Sequence, residues 1–152
     1  MTFDLESHSD ADTRAIGRRL SGLLRPGDVV VLCGSLGAGK TAFVGGVADG
    51  LGVDEHVTSP SFVLMRKYNS GFIPLVHVDV YRVGSLGEFE DLDVFEEARD
   101  SVLFVEWGEA VLANLPVDHL EIRIEITGES DRRVALQGHG SWSDRPLEEL
   151  VE

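Results

Sequence analysis

A single cysteine, Cys33, excludes a disulfide framework inside the chain. No apolar stretch approaches the roughly 18 residues that a membrane-spanning helix needs. The segment Met1-Thr2-Phe3-Asp4-Leu5-Glu6 is acidic where a signal peptide would be basic and then apolar, so a cytoplasmic location is expected. Basic residues are scarce: 13 Lys and Arg stand against 27 Asp and Glu, a formal charge of −14. Affinity for free nucleic acid rests on clustered Lys and Arg, and nothing here exceeds short pairs such as Arg18-Arg19 and Arg132-Arg133. Independent binding of RNA or DNA is therefore not expected. The acidic balance serves solubility first and would also suit docking onto a basic partner. With 5 prolines, no internal repeat and no low-complexity tract, the 152 residues predict one domain, 1–152, around a single core.

What is present is a succession of elements with clear periods. From Asp10 to Leu24 the apolar positions Ala11, Ala15, Ile16, Leu20, Leu23 and Leu24 recur at helical spacing, with Ser9 or Asp10 as N-cap. Arg25-Pro26-Gly27-Asp28 ends that helix. Val29-Val30-Val31-Leu32-Cys33 is an unbroken apolar run, the pattern of a central strand covered on both faces. A glycine-rich loop follows, and Lys40 to Leu51 reads as a helix closed by Gly50 and Gly52. Ser61 to Tyr68 and Ile73 to Val80 read as strands around the turn Asn69-Ser70-Gly71. An acidic helical patch covers Leu86 to Arg99, then an apolar strand Ser101 to Glu106 and a short helix Glu109 to Asn114. His119 to Ile126 alternates and pairs as a hairpin with Arg132 to Gln137, and Asp144 to Val151 reads as a terminal helix.

The loop Gly34-Ser35-Leu36-Gly37-Ala38-Gly39-Lys40-Thr41 is a full phosphate-loop match, with an apolar strand before it and a helix starting inside it. Its glycines let successive N–H groups turn inward toward phosphates, and the helix adds the positive end of its dipole. Lys40 supplies a point charge for the β- and γ-phosphates, and the Thr41 hydroxyl is the magnesium ligand. A chance match in a chain of this length is on the order of one in a few hundred. The expected fold is an α/β sandwich of the phosphate-loop NTPase kind, with a mostly parallel central sheet flanked by helices and a C-terminal antiparallel hairpin.

Magnesium also needs a carboxylate, commonly from the end of a neighbouring apolar strand. Val102-Leu103-Phe104-Val105 ends in Glu106, and Leu75-Val76-His77-Val78 ends in Asp79. Both would emerge at the carboxyl edge of the sheet, where open α/β folds bind ligands. Glu106 is the first choice for the metal, while Asp79 would position or activate the attacking water or share the metal. Either acid alone reads equally well as a cap or a surface acid. Thr58-Ser59-Pro60-Ser61 suits a loop that senses a γ-phosphate, or an ordinary turn.

These pieces resemble the TsaE family, the bacterial ATPases of tRNA threonylcarbamoyladenosine biosynthesis. The resemblance runs in order through Gly34 to Thr41, Thr58-Ser59-Pro60-Ser61-Phe62, His77-Val78-Asp79-Val80-Tyr81-Arg82 and Val105-Glu106-Trp107. Glu88-Phe89-Glu90-Asp91-Leu92 matches the acidic stretch after Tyr-Arg. It implies an ATPase, weak in isolation, that uses ATP and Mg2+ and works with two protein partners, TsaB- and TsaD-like. Those partners install N6-threonylcarbamoyl on adenosine 37 of tRNAs reading codons that start with A. This chain would drive or reset the partner complex and not transfer the group itself. Carried over by position, the resemblance gives phosphate contacts to Lys40, the metal to Thr41 and Glu106, and a role in hydrolysis to Asp79. Trp107 would lie near the nucleotide or the partner face, and Asp10 and Arg132 near the base end of ATP. Ser35 and Ala42 depart from the family's usual aspartate and second threonine, and Ser61 replaces the usual threonine.

Three other readings compete. A small-molecule kinase would carry several lid arginines, where the middle of the chain offers Arg66 and Arg82 as candidates and no lid-like insertion. A GTPase would carry Asn-Lys-x-Asp, which is absent. A regulatory module that binds nucleotide without turnover has Ala42 in its favour and intact Asp79 and Glu106 against it. The histidines His8, His56, His77, His119 and His139 have no metal-ligand spacing and read as structural or surface residues, and Cys33 as core. Arg82 reads as an arginine finger or as the partner of the acidic 88–93 stretch.

Overall fold

The computed structural model describes residues 2–35, 37–57, 65–79, 94–106 and 115–150. Its elements are β1 (Thr2–Ser7), α1 (Asp10–Ser21), β2 (Val29–Cys33), α2 (Lys40–Leu51), β3 (Met65–Tyr68), β4 (Leu75–Asp79), α3 (Val94–Glu97), β5 (Val102–Glu106), β6 (His119–Ile126) and β7 (Arg132–His139). The strands form one seven-stranded sheet in the order β1-β7-β6-β2-β5-β4-β3.

The central strands β6-β2-β5-β4 are parallel, as expected, and antiparallel strands at both edges make the whole sheet mixed. β2 runs parallel to β5 and β6, and β4 parallel to β5. The pairs β1·β7, β3·β4 and β6·β7 are antiparallel. The cause lies in connection length, since a parallel crossover takes a dozen residues or more. Too few residues join Tyr68 to Leu75, or Ile126 to Arg132, so each pair must fold back on itself. The expected C-terminal hairpin is this β6–β7 pair. β1 was not anticipated, because its six residues offer only Phe3 and Leu5 as apolar positions.

Alternation along the strands separates two cores. Val30, Leu32, Leu75, Val102 and Phe104 face the side covered by α1 and α2. Val29, Val31, Val76, Val78, Leu103 and Val105 face the other side, with Val94 and Ala98 of the α3 region. β2, β4 and β5 are buried at every position, as strands covered on both faces must be. α1 starts on Ser9, whose hydroxyl accepts the Asp12 N–H at 3.0 Å, and it ends at Ser21, short of Leu24.

α1 and α2 cross so closely that a Cβ at Gly46 would fall on the backbone carbonyl of Arg14. Neither backbone can yield without dislodging a helix. We expect Gly46→Ala to destabilise the fold by about 2 kcal/mol, since overpacking outweighs the gain in helix propensity. A lowered urea midpoint at unchanged m-value is the measurement that checks it.

The expected terminal helix over 144–151 is instead two 3₁₀ turns, Gly140–Asp144 and Leu147–Leu150. Pro146 is the reason: the residue before a proline is pushed out of the helical region, and Arg145 sits extended at φ −87° and ψ 147°. Arg145 is nonetheless anchored, its guanidinium bound to Asp28 through Nη1–Oδ2 at 2.5 Å and Nη2–Oδ1 at 2.7 Å. Leu36, the Thr58–Ser61 segment, Tyr81, Arg82, the acidic stretch 86–93, Trp107 and the helix expected over Glu109–Asn114 lie outside the described residues.

Candidate functional site

The site is assembled at the carboxyl ends of β2, β5 and β4. In register, Leu32 of β2 stands opposite Glu106 of β5, and Glu106 opposite Asp79 of β4. The loop that leaves β2 after Cys33 therefore starts beside the two acids. Parity places both acids on the α2 side of the sheet: Glu106 follows Val102 and Phe104, and Asp79 follows Leu75, all of which face that helix. Lys40 is 5% exposed, Asp79 6% and Glu106 4%, so three charged groups sit almost wholly inside the protein.

The Gly34–Thr41 loop is shaped by its own ties. Lys40 Nζ donates to the carbonyls of Gly34 at 2.8 Å and Ser35 at 2.9 Å, folding its side chain back along the loop. The Ala38 N–H reaches the Ser35 carbonyl at 3.1 Å. Gly39, the residue before α2, has φ 110°, a left-handed conformation that side chains rarely adopt. α2 then begins at Lys40, with Thr41 and Ala42 half-buried in its first turn.

Arg132, the first residue of β7, lies against the same loop. Its Nε donates to the Ala38 carbonyl at 3.1 Å and its Nη2 to that of Gly37 at 3.4 Å. A cavity of about 320 Å³ opens here, lined by Ser9, Asp10 and Thr13 from the start of α1, by Gly37, Ala38 and Gly39, and by Glu129, Ser130 and Arg132. Asp10 and Arg132 are thus brought together beside the loop, far from them in sequence. At the neighbouring rim, His8 Nδ1 and the Asp131 carboxylate are 2.9 Å apart, and that bond and charge raise the His8 pKa above its ordinary 6.5.

One residue at the site escaped the sequence reading. His77 is fully buried, and its Nε2 lies 2.5 Å from Glu106 Oε2. Spacing between histidines gave no hint of it. The signal that finds it is parity, because His77 and Asp79 stand two apart on β4 and share a face.

The arrangement suits an anion with its cation: an ammonium, a helix start and two buried carboxylates gather at the carboxyl edge of the sheet. Among the described residues, no three His, Cys, Asp or Glu converge as a metal cage. Magnesium held by one or two protein groups and by phosphate oxygens needs none. The Thr41 hydroxyl and Glu106 fit that ligand set, with Asp79 across the strand from Glu106.

Fold and site together define an α/β protein whose strand–loop–helix unit opens at the carboxyl edge of a mixed sheet. Residues 7–134 match the family described as threonylcarbamoyl adenosine biosynthesis protein TsaE. A Streptomyces coelicolor protein named tRNA threonylcarbamoyladenosine biosynthesis protein TsaE is 48% identical over 146 residues, 91% of this chain and 99% of its own length. A Bacillus subtilis protein of the same name is 38% identical over 139 residues, 91% of this chain and 87% of its own. The crystal structure of Bacillus subtilis YdiB superimposes with a TM-score of 0.81 at 34% identity, covering 99% of this chain and 94% of that one. The chain belongs to the TsaE family.

Proposed function

We propose that this chain binds ATP with magnesium on the Gly34–Thr41 loop, hydrolyses it, and serves tRNA threonylcarbamoyladenosine biosynthesis by driving or resetting partner proteins. The observation that carries the reading is the register Leu32–Glu106–Asp79, which sets two buried acids at the strand end from which the Gly34–Thr41 loop leaves. The pathway follows from the family, whose relatives carry that name.

In this reading Lys40 turns its ammonium from the Gly34 and Ser35 carbonyls to the phosphates, and the loop's N–H groups bind their oxygens. Thr41 and Glu106 hold magnesium, which when bound neutralises phosphate charge. Asp79 orients the attacking water and accepts its hydrogen bond. The cavity with Asp10 and Arg132 takes the base end. Net charge suits a protein partner more than free tRNA: at −14, the chain gains nothing from a polyanion directly.

The test is magnesium-dependent ATP hydrolysis by the purified chain, alone and with TsaB- and TsaD-like partners and tRNA. Weak turnover alone, altered by the partners and lost in Asp79→Ala, is the expected result. Nucleotide binding without turnover in any mixture would leave a regulatory module in place of an ATPase.

A further inference from the structure

We propose that His77 is a positioning residue for Glu106, its Nε2–H fixing one carboxylate oxygen so that the other is presented to the magnesium ion of a bound nucleotide. The inference rests on the reading of Glu106 as the metal carboxylate and assigns that carboxylate its support.

An ionised carboxylate only accepts hydrogen bonds, so the proton between the two side chains belongs to His77 Nε2. The pair lies 2.5 Å apart with both side chains enclosed. It is reached diagonally across β4 and β5, since His77 stands opposite Phe104 while Asp79 stands opposite Glu106. His77 thus sits one step below the acids, on the same face and further from the sheet edge.

Packing alone does not account for a histidine here. Leu75, the preceding residue on this face of β4, is a core residue, and an apolar side chain at position 77 would extend that core. A buried polar pair is often no more stable than apolar residues of the same volume. Among the described residues, His77 Nδ1 is also buried without a hydrogen-bond partner, which adds to the cost of a histidine here. A group that costs stability and touches a candidate ligand fits the support that metal-binding carboxylates receive from a second ring of hydrogen bonds.

The test titrates Mn2+ by electron paramagnetic resonance into the chain bound to a non-hydrolysable ATP analogue. It compares wild type with His77→Ala, His77→Gln, His77→Asn and Glu106→Gln, and measures analogue affinity separately in EDTA. Loss of such a supporting bond typically weakens metal affinity 10- to 100-fold, so His77→Ala should lose about tenfold. Gln, whose amide nitrogen reaches the place of Nε2, should restore most of it, and Asn, a bond shorter, should not. In a Glu106→Gln background His77→Ala should add nothing, and analogue affinity in EDTA should not move.

If Gln is no better than Ala or Asn, or if Glu106→Gln weakens Mn2+ binding and His77→Ala does not, His77 has no positioning role. If Glu106→Gln itself leaves Mn2+ affinity unchanged, the metal reading of Glu106 fails first and the role of His77 with it. Should His77→Ala not fold, the Gln and Asn pair decides the matter alone.

Discussion

On the proposed reading, Lys40→Ala should lower affinity for ATP about 100-fold, a loss that calorimetric titration would measure. Truncating a buried charge that bonds an oppositely charged ligand costs on the order of 3 kcal/mol, and each 1.4 kcal/mol is about tenfold in affinity. In this structure the Lys40 Nζ bonds the Gly34 and Ser35 carbonyls and draws the loop together. Lys40→Arg keeps the charge but replaces a compact ammonium by a planar fork, and should also bind poorly. Wild-type affinity in Lys40→Ala would move the phosphate site away from this loop.

The largest stability effect is expected at the other end of the chain. Arg145→Ala should cost about 4 kcal/mol, a large share of the 5 to 15 that hold a typical domain together. The guanidinium binds Asp28 through two bonds and the Leu23 carbonyl through a third, and it lies 3.9 Å over the Trp142 ring. The side chains of Arg145 and Asp28 are 9% and 8% exposed, so removal of the cation strands a carboxylate away from water. Urea unfolding of Arg145→Ala beside the double variant Arg145→Met, Asp28→Ala separates the two causes. If the stranded charge dominates, the double variant recovers most of the loss. Equal losses would mean that the clamp acts through packing.

The central part of the fold was legible in the chain because its signals are local. Five apolar residues in a row made β2, and the loop pattern with a glycine on either side of Lys40–Leu51 made α2. The β6–β7 hairpin showed in the alternation of Leu120, Ile122 and Ile124. What depended on distant pairing did not show. β1 is a strand because β7 offers it an edge, from Thr2 opposite Gln137 to Ser7 opposite Arg132. At the candidate site, Lys40, Asp79 and Glu106 were named from motif and strand ends. His77 was passed over because its partner lies 29 residues away and is reached only through strand register.

The place of β2 in the sheet has a bearing on synthesis. Its two neighbours are β5 and β6, both made long after it, and the arginine that bonds the Ala38 and Gly37 carbonyls is residue 132. A nascent chain that has released the glycine loop from the ribosome still lacks both flanking strands and that arginine. The loop therefore takes its shape only when translation is nearly complete, and a truncated product ending before the last hairpin would carry the whole motif without the geometry to use it.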